Sequence, residues 1–293
     1  MLGEILTAIV TPFKADGSVD IERFRALASH LVENGSDGLV VTGTTGESPT
    51  LSDDERFALY EAAVEEVGDR ATVVAGTGTY STEHSVHLTA RAHEIGVHAF
   101  LVVTPYYSKP PLRGIVEHFN AIAAVSDRPI IAYNIPGRVV VNLDTEAIAQ
   151  LAEIRNVRAV KQANPDLGQA RRIVELGLAL YAGDDDLLLP FLELGGLGGV
   201  CVHTHVVGPQ VREMVRRFRA GDVEEARAID RELAPSIDLL RVVVNPIAIK
   251  CALNLLGHEV GGLRLPLVSA TDDEREAVRS CLERLELLAP VAA

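Results

Sequence analysis

The chain contains no tryptophan, only 4% aromatic residues and three cysteines in 293 positions. Cys201, Cys251 and Cys281 are odd in number, far apart and without metal-ligand spacing. They are expected to be reduced thiols in a cytoplasmic protein. Positive charge is scarce as well: 27 Lys and Arg stand against 41 Asp and Glu, a formal charge of −14. No basic run interrupts this acidic balance, so nucleic acid is not an expected partner. The longest stretch free of formal charge, Leu194 to Val211, is broken by five glycines, a proline and two histidines. It does not read as a bilayer span, and no membrane is expected as a partner. The opening MLGEILTAIVTPFK shows no basic-then-apolar pattern with a cleavage site, so no secretory signal is expected.

Hydrophobic residues are plentiful, at 47%, enough for a full-sized core. They fall in short runs at Ile5–Thr11, Asp37–Thr42, Ala71–Gly76, Val97–Thr104, Pro129–Asn134, Val157–Lys161, Ala179–Ala182 and Gly199–Val202. Nearly unbroken apolar runs are what a parallel sheet covered on both faces requires. Amphipathic segments such as Ile21–Glu33 and Asp54–Val67 separate them, the latter opened by a capping-box pair, Ser52 and Glu55. The alternation predicts an α/β fold, a (β/α)8 TIM barrel over residues 1–223. An open doubly wound sheet is the other candidate, but Thr11-Pro12-Phe13-Lys14 has none of the glycines of a phosphate-binding turn. From Glu224 the strand signals stop. Helical patterns broken by Pro235, Pro246, Gly261–Gly262 and Pro266 predict a C-terminal helical extension, 224–293, with a frayed tail over the last five residues.

Barrel chemistry occupies the C-terminal ends of the strands. Thr44 and Thr45 follow the second run, Tyr106 and Tyr107 the fourth, Tyr133 closes the fifth and Lys161 the sixth. An enclosed lysine amine is a nucleophile for carbonyls, forming a Schiff base. Position alone fits equally a lysine that snorkels to the rim or pairs with a carboxylate. A phenol on the adjacent strand, Tyr133, is placed to relay protons, or else simply packs in the barrel. Thr44 and Thr45, framed by Gly43 and Gly46, offer hydroxyls and N–H groups to a carboxylate or form only a tight turn. Arg138, just past Tyr133, can fork onto an anionic substrate or make a surface ion pair. His203, His205 and the run Asp184–Asp186 invite a metal reading. Aspartates ahead of an apolar segment are more commonly helix caps, so no metal is expected and the run is assigned to a helix start.

GTTGES at 43–48, VTPYYSKPP at 103–111, YNIPGR at 133–138, VK at 160–161 and AGDD at 182–185 together resemble the pyruvate-dependent class I lyases of the dihydrodipicolinate synthase and N-acetylneuraminate lyase superfamily. Arg138 and Asn245-Pro246 fit the dihydrodipicolinate synthase branch. The resemblance implies that Lys161 forms an imine with pyruvate, with no cofactor. It implies that Tyr133, Thr44 and Tyr107 shuttle protons, Tyr107 reaching the site of a neighbouring subunit. Thr45 would hold the pyruvate carboxylate and Arg138 the carboxylate of aspartate semialdehyde. Gly183 and the backbone at Val200 would line the pocket, in a homotetramer built from tight dimers. Arg56 and His84 stand where lysine-inhibited members carry a histidine and a glutamate, which argues against inhibition by lysine, although Ser48 and Tyr106 remain. The segment His203-Thr204-His205 is unusual for this branch; a ring pointing inward would change the aldehyde accepted. Sister aldolases for keto-deoxy sugar acids or sialic acid, a metal-dependent aldolase and a non-catalytic pyruvate binder are the alternatives.

Overall fold

The computed structural model describes residues 2–289, so the tail expected to fray lies, from residue 290 on, outside them. Eight strands alternate with helices: β1 (Ile5–Ala8), β2 (Gly38–Val41), β3 (Thr72–Gly76), β4 (Ala99–Val103), β5 (Ile130–Asn134), β6 (Val157–Gln162), β7 (Ala179–Ala182) and β8 (Gly198–Cys201). Each pairs in parallel with the next, and β8 returns to β1 through Ile5↔Gly199 and Leu6↔Val200, closing the barrel. Closure removes every sheet edge, and the helices cover the outside, which is why the strands read as apolar on both faces. Leu6, Leu39, Val73, Phe100, Ile131 and Leu180 are buried in the resulting core.

Several strands are shorter than their apolar runs, and the ends of β1 and β2 show why. The first ends at Ala8 because the chain turns away beyond it: Pro12 has no N–H for a ladder, and Phe13 bridges Val19 in an antiparallel pair. The second ends at Val41 because Thr42 adopts a left-handed backbone, φ +54°. There its hydroxyl meets the Tyr60 hydroxyl at 2.8 Å, and the latter donates to the Gly76 carbonyl at 2.9 Å. The helix after β2 runs Asp53–Val67 and starts with the full reciprocal capping box of Ser52 and Glu55.

Beyond β8 the chain is helical: Thr204–Ala220, Val223–Glu232, Ala234–Arg241, Ile247–Leu255 and Asp272–Arg284. Val211, Ala226, Leu239, Ile249 and Leu282 from these helices join the same apolar cluster as the barrel residues. Residues between Ile237 and Asn245 sit over the barrel mouth, which decides how the site is completed.

Candidate active site

At the C-terminal end of the barrel lies a cavity of about 490 Å³, walled by β-strand ends and by the C-terminal helices. Lys161 and Tyr133 are ladder partners on β6 and β5, so both side chains project to the same face one strand spacing apart. Lys161 is 5% exposed, and its Nζ lies 4.1 Å from the centre of the Tyr133 ring. Asp184, Arg138, Thr44, Thr45 and Gly183 share the wall. Among the described residues Lys161 enters no ion pair. The other buried lysine, Lys250, is committed to Glu47 at 3.0 Å. Of the two readings the sequence left open for Lys161, the enclosed, unpaired amine is the one observed. Burial pushes the Asp184 carboxyl above its ordinary pKa and its neighbours Asp186 and Asp185 add to this, while Lys161 and Arg138 nearby oppose it.

The remaining expected residues divide. Thr45 is buried, and its Oγ1 accepts a hydrogen bond from Asn245 Nδ2 at 2.9 Å; Thr44, half-buried, faces the cavity. Gly183 is needed for close approach, since a Cβ there would stand 2.7 Å from that of Ala163. Arg138 is exposed at the mouth on the short helix Pro136–Val139. Val200 has no exposed surface and faces Leu6 in the ladder; the wall at this strand is formed instead by Val202. Tyr107 is not in the wall of its own chain's cavity: it is 93% exposed, with a left-handed φ of +71°.

The acidic run does not cap its own helix start. Asp185 Oδ1 accepts from the backbone N–H groups of Val202 and His203 at 2.7 and 2.8 Å, closing the end of β8, and Asp186 pairs with Arg241 at 2.6 Å. The run does open a short helix, Asp185–Leu187, as expected, but no side chain caps it, because the turn after Asp184 brings the donors of Val202 and His203 into reach instead. Neither histidine points into the cavity. His203 Nδ1 meets Ser236 Oγ at 3.2 Å. His205 Nδ1 donates to the Val202 carbonyl at 2.8 Å and Nε2 accepts from Val10 N–H at 3.3 Å, which fixes the neutral tautomer. Asp185, Cys201 and His203 place ligand atoms within 4.8 Å of one another. Yet Asp185 is engaged with two backbone donors, and burial holds the Cys201 thiol well above its ordinary pKa, so the group serves as a strand-end seal.

Burial holds the His205 pKa down, from 6.5 to about 4, against the Val202 hydrogen bond and Asp185, with His258 and His30 adding to the depression. The folded value lies below the unfolded one. The stabilisation is therefore complete above about pH 6.5 and is lost as the pH falls towards 4. Between pH 7 and 5 this amounts to about 2 kcal/mol. In urea titrations at the two pH values, wild type should lose that much more stability than His205→Gln; equal losses would reject the assignment.

Asn245, Ile237, Leu240, Arg241 and Val244, all C-terminal to the barrel, complete the wall. None was singled out as a site residue from sequence. The one available signal was a lone amide, Asn245, between a valine run and Pro246.

A closed (β/α)8 barrel with an enclosed lysine beneath a tyrosine at its C-terminal mouth defines a barrel lyase. The chain belongs to the dihydrodipicolinate synthetase family, whose sequence profile matches residues 1–285. It is 49% identical to 4-hydroxy-tetrahydrodipicolinate synthase of Moorella thermoacetica, over 98% of this chain and 99% of that one. Its fold is similar to the lysine-bound enzyme from Cyanidioschyzon merolae, with TM-score 0.96 and 42% identity over 98% and 99% of the two chains. The chloride-inhibited Acinetobacter baumannii enzyme, solved with pyruvate, gives TM-score 0.95 and 34% identity over 98% and 100%.

Proposed function

We propose that this enzyme condenses pyruvate with L-aspartate 4-semialdehyde to form 4-hydroxy-tetrahydrodipicolinate, the first committed step of lysine and diaminopimelate biosynthesis. The observation that carries the chemistry is the unpaired Lys161 amine enclosed against Tyr133. The amine adds to the pyruvate carbonyl and water leaves, giving an imine. Loss of a methyl proton gives an enamine, with the imine nitrogen as electron sink. The enamine carbon attacks the aldehyde, and Tyr133 delivers a proton to the alkoxide. The amino group of the adduct then attacks the imine carbon, and the Lys161 amine leaves. No cofactor enters this sequence.

Thr45, oriented by Asn245, is assigned to the pyruvate carboxylate, and Thr44 to the proton relay with Tyr133. Gly183 is assigned to the pocket lining, with Val202 taking the place expected for Val200. Arg138, at the mouth, is assigned to the carboxylate of the semialdehyde. Two anionic substrates thus enter a cavity where Lys161 and Arg138 stand among Asp184, Asp185 and Asp186, the last paired with Arg241, within a protein of charge −14. Salt screens the distant acidic surface beyond about 10 Å. The outward Tyr107 is assigned to the proton relay of a second copy, in a homotetramer of tight dimers. We assign 1–223 to the barrel and 224–293 to the helical extension. No helix among the described residues is long and apolar enough to cross a membrane, and the reduced-thiol reading supports a cytoplasmic location.

Arg56 donates to the Ser48 carbonyl and His84 Nε2 pairs with Asp53 at 2.8 Å. With both side chains so occupied, added lysine is expected to leave the steady-state rate unchanged. A coupled assay with pyruvate and aspartate semialdehyde tests the activity itself, against cleavage of keto-deoxy sugar acids and N-acetylneuraminate; preference for cleavage would overturn the reading. In that assay Arg138→Ala should raise KM for the semialdehyde by about tenfold or more, the loss of a charge-assisted pair, and leave KM for pyruvate near its original value. Equal rises in both constants would remove Arg138 from the role.

A further inference from the structure

Lys250 and Glu47 are each 1% exposed and lie outside the cavity wall, yet both touch the turn that forms it. Lys250 Nζ donates to Glu47 Oε1 at 3.0 Å and to the Thr11 carbonyl at 2.8 Å, and rests 4.3 Å from the centre of the Phe13 ring. Glu47 Oε2 accepts from Arg264 N–H at 3.0 Å, so the carboxylate is held from two places in the C-terminal extension. Glu47 itself adopts φ +56°, unusual for a side chain of its size. Its own N–H donates to the Thr44 carbonyl at 3.1 Å, while Thr11 Oγ1 donates to the Gly46 carbonyl at 2.7 Å. Asn245, just ahead of the helix Ile247–Leu255 that carries Lys250, holds Thr45 at 2.9 Å.

One C-terminal segment therefore grips the Gly43–Ser48 turn at two points: Asn245 on Thr45 and Lys250 on Glu47. Buried ion pairs are commonly matched or exceeded in stability by apolar residues of the same volume, so stability alone does not account for this one. What it adds is direction. We propose that Lys250 is a positioning residue which, through Glu47, sets the register of Thr45 against the carboxylate of the pyruvate held by Lys161. The inference rests on the pyruvate reading above.

The test compares wild type with the neutral, similar-volume double variant Lys250→Met/Glu47→Gln, and with Glu47→Gln alone, which keeps length and an acceptor oxygen. Thermal midpoint, KM for each substrate, and borohydride trapping at saturating pyruvate are measured. The double variant should fold with a midpoint near that of wild type and still trap pyruvate at saturation. Its KM for pyruvate should rise about tenfold, as displacement of a positioning group by a fraction of an ångström does, with KM for the semialdehyde within about twofold. A wild-type KM for pyruvate in a folded double variant overturns the proposal, since a purely structural pair would leave that constant alone. Should the double variant not fold, Glu47→Gln decides: a rise of about threefold in KM for pyruvate supports the proposal, and an unchanged value overturns it. Failure of wild type itself to trap pyruvate would instead remove the Lys161 reading, a separate outcome.

Discussion

Lys161→Ala is expected to abolish the mass increase that borohydride produces in the presence of pyruvate, and to lower kcat/KM by a factor of about 10⁴ or more. The size follows from the role. An amine that carries the substrate covalently makes every later step intramolecular, and no neighbouring group can substitute for it. The other buried lysine is held by Glu47 and the Thr11 carbonyl and lies outside the wall, so it cannot take over. Truncation to alanine also leaves the barrel intact, because the amine makes no ion pair among the described residues whose loss would strand a buried charge. Intact-protein mass spectrometry reads the result directly. A reduced pyruvate adduct on the variant would place the chemistry on a different nitrogen.

Tyr133→Phe should lower kcat by about 10²-fold or more while retaining the fold. The ring, 4% exposed and packed in the core, is kept, and the apolar face under the Lys161 amine survives. Only the hydroxyl goes. Imine formation under saturating pyruvate should still be trapped by borohydride, though more slowly, whereas condensation with the semialdehyde should fall by the full factor. Stopped-flow and steady-state measurements on the same preparation separate the two. A variant that turns over at the wild-type rate would leave the phenol as packing alone.

Much of this architecture was visible in the amino-acid order because two simple constraints act along it. A parallel barrel wrapped by helices must be largely apolar on both strand faces, so Ile130–Ala132 stands out as a run, Ala159–Val160 continues one past the exposed Arg158, and the polar residues that end them, Tyr133 and Lys161, lie at the mouth. Ladder pairing then brings Tyr133 beside Lys161 without any loop having to be known. Other features had no such signature. Thr42 and Glu47 take positive φ although neither is glycine, and only the tertiary hydrogen bonds around them compel it. Asn245, Arg241 and Lys250 reach the barrel from a stretch whose helical periodicity says which face is apolar but not what that face covers. Asp185 looked like a helix cap because its neighbours in sequence suggested one, yet its backbone partners lie across the turn at Val202 and His203. Tyr107 was legible as a motif member, but nothing in the sequence signalled that it stands exposed, outside the cavity wall of its own chain.

A ribosome-tethered chain that had released only its eight strands would possess the nucleophile without the wall that completes its cavity. Its Glu47 carboxylate would await a counterion still inside the exit tunnel, and the rim contributed by Leu240, Arg241 and Asn245 would be absent.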